Sequence, residues 1–295
     1  MPELSIVVCL RECSRQAQNA LFSLSTQFQK NVAASDYEVL VVETASPDEL
    51  GEAAALSHGE NFRYLRRGLA IDWRARSLEL GVGESRAPYL GLLLDGAQIV
   101  SERAIEHALL ARRGDERSLV VVPSYRLDEG ALDGVDWRAS AYELFAKASF
   151  GPANFNGFLG PLLGASCLFV PAETYRAAGG APAGLERPGG GPLSLALYTN
   201  LSRVPGTRLV VLAGEGAFRQ PHPDVAGLSA IETNLHAILA DRGSILLNFR
   251  AVHREPVAFG PIPGSAQRFL SESAQVADFH CAVASKRCEP AWYED

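Results

Sequence analysis

Tyr89-Leu90-Gly91-Leu92-Leu93-Leu94-Asp95-Gly96-Ala97-Gln98-Ile99-Val100 is the stretch on which the fold turns. Its first half is an unbroken apolar run of strand length with no polar face. That is the pattern of a strand covered on both sides in a parallel sheet. The run stops at an acid followed by glycine. In an open α/β sheet, ligands bind just outside the carboxyl ends of the strands. A strand ending in Asp-Gly delivers a carboxylate there on a backbone free to turn. An aspartate opening an ordinary turn reads the same way locally, so the weight falls on the rest of the chain.

Upstream, Leu4 to Leu10 is a β-branched run ending in Arg11-Glu12-Cys13-Ser14. Residues 16–28 carry Ala20, Leu21 and Leu24 at helical spacing, and Tyr37 to Val42 is a second buried strand stopped by Glu43-Thr44-Ala45-Ser46-Pro47. Two such strands joined by an amphipathic helix form a βαβ unit, so the sheet is parallel with a right-handed crossover. Both polar strand ends then meet on one sheet edge. A short strand at Phe62 to Leu65 and a helix from Arg74 to Gly83 complete the approach to the quoted stretch.

Downstream, the pattern predicts a helix over Ala104–Arg113 and strands at Ser118–Pro123, Ala165–Val170 and Arg208–Leu212. Further helices are expected from Ala172, over Leu193–Ser202 and over Ser229–Arg242. Asp128 to Gly160 reads as irregular, and a loop that long in a compact domain marks a functional flap or disorder. Its Phe150–Phe158 part is rich in Gly, Asn and Phe.

The chain has 295 residues, 47% hydrophobic and 21% charged, enough for one large α/β domain or two modest ones. A net charge of -7 gives no basic field for nucleic acid. No apolar run reaches the roughly 18 residues of a membrane-spanning helix. The first residues lack the basic region of a signal peptide, and five scattered cysteines suit reduced thiols, so a cytoplasmic protein is expected. Cys9 and Cys13 lie four apart without a second Cys/His pair, which argues against zinc.

In order along the chain, four features resemble glycosyltransferase family 2, from residue 4 to residue 224. They are Ser5-Ile6-Val7-Val8, then Glu38-Val39-Leu40-Val41-Val42-Glu43-Thr44-Ala45-Ser46-Pro47, then Leu94-Asp95-Gly96-Ala97 where the family carries Asp-x-Asp. The last is Gly214-Glu215-Gly216-Ala217-Phe218-Arg219-Gln220-Pro221-His222. The resemblance implies the GT-A fold, a Rossmann-like, mostly parallel sheet with helices on both faces. A nucleotide-sugar domain would occupy residues 1–225, with a helical and irregular extension over 226–295. It implies transfer of a sugar, with inversion, from a nucleotide diphosphate sugar to an acceptor hydroxyl of a polysaccharide, glycan or natural product. Glu43 would hold the base with Ser46 nearby, and Asp95 the ribose or a metal. His222 would be a further ligand to a manganese- or magnesium-like ion.

Arg66, Arg67, Arg74 and Arg76 cluster before the quoted stretch, and Arg76 joins the nucleotide-binding candidates as a bidentate grip on phosphate. A run of this kind is more often a solvated face. Three departures from the family pattern matter. Ala97 replaces the second acid of Asp-x-Asp. Arg219 replaces a histidine and could sit on the diphosphate as fixed positive charge. The helix at Leu193-Ser194-Leu195-Ala196 lacks the family's acidic pair, which leaves Glu186, one loop earlier, as the candidate base. The other class of reading is a degenerate relative that binds nucleotide or a partner without turnover. A nucleotidyltransferase is disfavoured by the lack of a Gly-rich, Lys-bearing phosphate loop after the first strand. A divalent metal requirement and a homodimer stay open.

Overall fold

The computed structural model describes residues 1–68, 73–149, 167–182, 191–212 and 214–221. In chain order the elements are β1 (Leu4–Leu10), α1 (Ser14–Ser23), β2 (Tyr37–Thr44), α2 (Glu52–Leu56), β3 (Phe62–Arg67) and α3 (Trp73–Glu84). Next come β4 (Tyr89–Leu93), β5 (Gln98–Val100), α4 (Ala104–Gly114), β6 (Ser118–Val121), β7 (Ser124–Leu127), a 3-10 turn at Ala141–Ala146 and β8 (Ala148–Ser149). The last are β9 (Cys167–Pro171), α5 (Ala172–Ala177), α6 (Gly191–Ser202), β10 (Arg208–Val211) and β11 (Ala217–Arg219).

The main sheet has seven strands in the order β10-β6-β9-β4-β1-β2-β3. Pairing is parallel throughout β3-β2-β1-β4 and between β10 and β6, while β9 runs antiparallel to both its neighbours. The expected mostly parallel α/β sheet is therefore what forms. The reason is visible in β1, which is buried at every position. Its Leu4, Ile6, Val8 and Leu10 enter the layer shared with α1 and α4, whereas Val7 and Cys9 enter the layer shared with α3, α5 and α6. With a period of two and apolar residues on both sides, neither face can be solvated. Each of the leucine, isoleucine and valine side chains contributes about 1.5–3 kcal/mol on burial.

A second, four-stranded sheet has the order β5-β11-β7-β8. Its strands are two to four residues long, too short for a periodic signal, and β8 falls inside the Asp128–Gly160 stretch that reads as irregular. Ile99, Tyr125, Leu127 and Phe218 form one face of it and pack with Phe28, Trp137, Leu144 and Phe145. The helix expected over 16–28 spans Ser14–Ser23 instead. Ser23 and Ser25 hydroxyls donate back to the carbonyls of Ala20 and Phe22, a local competition that favours turns. Phe28 is then buried against Phe22 and Trp137, at ring distances of 5.6 and 6.0 Å, rather than on a longer helix. The expected boundary at 225/226, the helix over 229–242 and the Phe150–Phe158 loop lie outside the described residues.

Candidate functional site

Register places the acids. Leu10 of β1 pairs with Glu43 of β2, Glu43 with Arg66 of β3, and the Gly96 N–H donates to the Cys9 carbonyl at 3.0 Å. The carboxyl ends of β3, β2, β1 and β4 thus stand side by side on one edge, with Glu43 and Asp95 on either side of the end of β1. Gly96 is required there for close approach. A Cβ would strike the Leu10 side chain and come within 2.9 Å of the Cys9 carbonyl oxygen. The turn itself needs no left-handed backbone at Gly96.

Glu43 is 1% exposed. Its Oε1 accepts from the Leu50 N–H at 2.7 Å, and its Oε2 accepts from the Gly51 N–H at 3.0 Å and the Tyr64 hydroxyl at 2.7 Å. The carboxylate therefore folds residues 45–51 back over the sheet edge. Burial, and next the bond to Glu43, pushes the Tyr64 phenol well above its ordinary pKa. Ser46 joins two loops: its hydroxyl accepts from the Glu12 N–H at 3.4 Å, and its own N–H donates to Glu49 at 3.1 Å. Asp48, in the same loop, takes the Ser14 N–H at 3.1 Å and the Ser14 hydroxyl. It thereby caps α1, whose own N-cap residue Cys13 supplies no side-chain cap.

The arginines separate. Arg66 makes a two-pronged pair with Glu49, both contacts 2.9 Å, and its hydrogen bonding holds the Glu49 carboxyl below the usual range. The Arg74 guanidinium lies 4.3 Å from the ring centre of Trp73, with that of Arg11 at 5.9 Å from the same ring. Arg76 stands on an exposed position of α3. Cys13 marks how close these charges come. Its thiol is pushed up to about 12, first by burial and then by the Asp95 charge, and it also feels Glu43 and Arg74.

Asp95 is 7% exposed. Its Oδ1 accepts from the Ala97 N–H at 3.0 Å, and its Oδ2 lies 2.7 Å from Arg219 Nε on β11. The latter contact is a close ion pair, not an aligned hydrogen bond. Arg219 lies in register with Gln98 of β5 and with Arg126 of β7, so Arg126 shares its face of the second sheet. Next to it, Gln220 is 3% exposed and acts as a clamp. Its Nε2 donates to the carbonyls of Ala97 at 2.9 Å and Gln16 at 3.0 Å, while its Oε1 accepts from Asn19 Nδ2 at 2.8 Å. Gln16 Nε2 in turn donates to the Pro221 carbonyl at 2.7 Å. One face of α1 so holds the end of β11 against the Asp95 turn.

Glu215, just before β11, is fully buried. It accepts from the Ser101 hydroxyl at 2.5 Å and from the Tyr142 hydroxyl at 3.1 Å, and lies 2.8 Å from His107 Nδ1. These partners fix the Gly214-Glu215-Gly216 bend, and the Ser101 hydroxyl also accepts the Gly216 N–H at 2.9 Å. The structure thus gathers Glu43, Ser46, Asp95 and Arg219 at the edge, while Arg76 sits on an exposed position of α3. Glu186 and His222 lie outside the described residues. Sequence reading missed the clamping role of Gln220, the register of Arg126 and the arginine–Trp73 stack. Gln220 stood inside the quoted C-terminal segment, and that position was its one available signal.

Among the described residues, which do not include His222, nothing beside Asp95 completes a metal site. Both carboxylate oxygens are engaged, the position two residues on is the fully buried Ala97, and among the described residues no group of three His, Cys, Asp or Glu could hold an ion. Among the described residues, no helix is long and apolar enough to cross a membrane.

No protein-family model matches the chain, and no curated protein matches it by sequence. Solved structures match it in fold. S. aureus TarS 1–349 in complex with UDP superposes with a TM-score of 0.51 at 11% identity, over 93% of this chain and 71% of that one. TarS 1–349 and a further TarS structure each give a TM-score of 0.47 at 10% identity over 76% of this chain. The chain spans 58% and 35% of the length of those two. The likeness to the UDP complex is one of fold, and that fold is the Rossmann-like GT-A arrangement expected.

Proposed function

We propose that this GT-A-type chain binds a nucleotide diphosphate sugar at the carboxyl edge of the main sheet and transfers the sugar to an acceptor hydroxyl. The observation that carries the reading is the placing of Glu43 and Asp95 on adjoining strand ends beside β1, with Arg219 drawn onto Asp95 from the second sheet. A leaving diphosphate needs positive charge fixed in place before the bond breaks. The edge offers guanidinium at Arg219, with Arg11 and Arg74 nearby at Trp73.

In this reading Asp95 faces the ribose. Glu43 and Ser46 shape the base pocket by holding the 45–51 loop, rather than Glu43 alone presenting a free carboxylate. Glu186 is the proposed base that takes the acceptor proton, and inversion at the anomeric carbon follows from a single displacement. The TarS neighbour holds UDP, so UDP-sugars are the first donors to try.

A second reading is favoured by specific observations. The Glu43 carboxylate is taken up by the chain's own donors, and residues 193–196 of α6 hold no acid. Such a protein would bind nucleotide without turning it over. Incubation with UDP-, GDP- and TDP-sugars separates the two. Slow release of the nucleoside diphosphate supports transfer, while a bound nucleotide with neither hydrolysis nor transfer to any acceptor supports the degenerate reading.

A further inference from the structure

We propose that the counter-charge for the nucleotide diphosphate is built into the chain as the guanidinium of Arg219, seconded by Arg126, so that binding does not depend on a divalent cation. This rests on the nucleotide-sugar reading of the edge and says how that edge handles charge.

The starting point is Asp95. A carboxylate serves a hard divalent cation through oxygens left open to it, usually with further oxygen ligands and waters. Here Oδ1 is tied to the Ala97 N–H in a tight local turn, and Oδ2 is 2.7 Å from Arg219 Nε. A cation approaching Oδ2 would have to displace a guanidinium from a carboxylate whose side chain is only 9% exposed. Two residues on, where a second acid would complete a chelate, Ala97 is fully buried. Its carbonyl is held by both the Gln220 backbone N–H at 3.0 Å and the Gln220 side chain at 2.9 Å. The turn is packed as a closed unit and offers a single, already neutralised carboxylate.

The positive charge that replaces the ion is held firmly. Arg219 ends β11, which is paired on both sides: antiparallel to β5 and parallel to β7. Gln220, the next residue, is clamped to α1 and to the Asp95 turn. The pairing with Asp95 uses Nε, and the Arg219 side chain keeps 26% of its surface exposed. A guanidinium carries its donors in a planar fork that suits phosphate oxygens and keeps its charge at any working pH. One guanidinium shared with Asp95 does not balance a diphosphate. Arg126 adds a second on the neighbouring strand, in register with Arg219 and on the same sheet face. Adjacent strands lie about 4.8 Å apart, a separation that two linked phosphates can bridge.

The test is calorimetric titration of the full chain with UDP in EDTA, then with manganese or magnesium, and with Arg219→Ala, Arg219→Lys and Arg126→Ala. Wild-type affinity in EDTA is expected within about threefold of that with metal, with Arg219→Ala losing about tenfold or more in EDTA and Arg126→Ala losing less. Arg219→Lys, which keeps the charge without the fork and guards against a folding failure in the alanine variant, should fall between. Wild-type binding that appears only with metal would overturn the inference and leave the nucleotide reading standing. Equal EDTA affinity for wild type and a folded Arg219→Ala would overturn it too. If UDP, GDP and TDP all fail to bind wild type under either condition, the nucleotide reading itself falls, and this inference with it.

Discussion

Replacing Gln220 tests the architecture around Asp95 most directly, because the orientation of its amide is fixed by its partners. The nitrogen faces two carbonyls, of Ala97 and Gln16, and the oxygen faces the Asn19 amide. Gln220→Ala removes three hydrogen bonds at about 1 kcal/mol each. The Ala97 carbonyl keeps the Gln220 backbone N–H, and half-exposed Asn19 can turn to water, so the net cost should be about 1.5–3 kcal/mol. At roughly 2–4 °C per kcal/mol for a chain of this size, that is about 3–12 °C in melting temperature.

Gln220→Glu is the sharper perturbation. It preserves shape but points a carboxylate oxygen at two carbonyls, adding about 1–3 kcal/mol beyond the alanine variant at neutral pH. Those acceptors raise the folded pKa of the introduced carboxyl above its unfolded value of about 4.3. A raised folded pKa gives stability that is present below the unfolded pKa and lost as pH rises through the folded one. The deficit of Gln220→Glu should therefore shrink on acidification from pH about 7 toward about 4. Urea unfolding across that range is the assay. A Gln220→Glu variant as stable as wild type at neutral pH, or one whose deficit grows on acidification, would refute the clamp.

The other predictions test the edge and the buried acids. Glu43→Ala and Asp95→Ala should each weaken nucleotide-sugar binding at least about tenfold, roughly 1.4 kcal/mol. The first acts by releasing the 45–51 loop and the second at the ligand, and unchanged affinity for every nucleotide in either variant would remove that residue from the site. Gly96→Ala should cost roughly 1–3 kcal/mol, because the added methyl meets Leu10 and the Cys9 carbonyl; denaturant titration reads it, and a neutral result would deny the close approach. Glu102 has its carboxyl raised above the ordinary 4.5, chiefly by burial. Its stabilising contribution is present below that value and lost as pH rises through the raised one, so wild type should lose stability relative to Glu102→Gln from pH 4.5 upward. Parallel stability–pH curves for the two proteins would contradict this.

The sequence by itself determined the mostly parallel sheet and, to within two residues, where its strands end. A run such as Leu4–Leu10 or Tyr89–Leu93 is apolar on both faces, and only a strand covered on two sides can bury it. Polarity then returns abruptly at Glu43 and Asp95, which places both acids on one edge before any contact is known. Such signals are local, written within a few residues by periodicity and by where it stops. Tertiary structure decided the rest. Arg219 meets Asp95, and Gln220 meets Gln16 and Asn19, across more than a hundred residues, and nothing in either local pattern points to the other. Glu43 looked like a free acid at a strand end, but the chain doubles back and spends its oxygens on Leu50, Gly51 and Tyr64. Gly96 looked like a hinge and is instead a gap for Leu10. The second sheet, with strands of two to four residues, is held by pairing and by the Phe28–Trp137–Phe218 cluster; pairing partners and ring contacts exist only once the chain has folded.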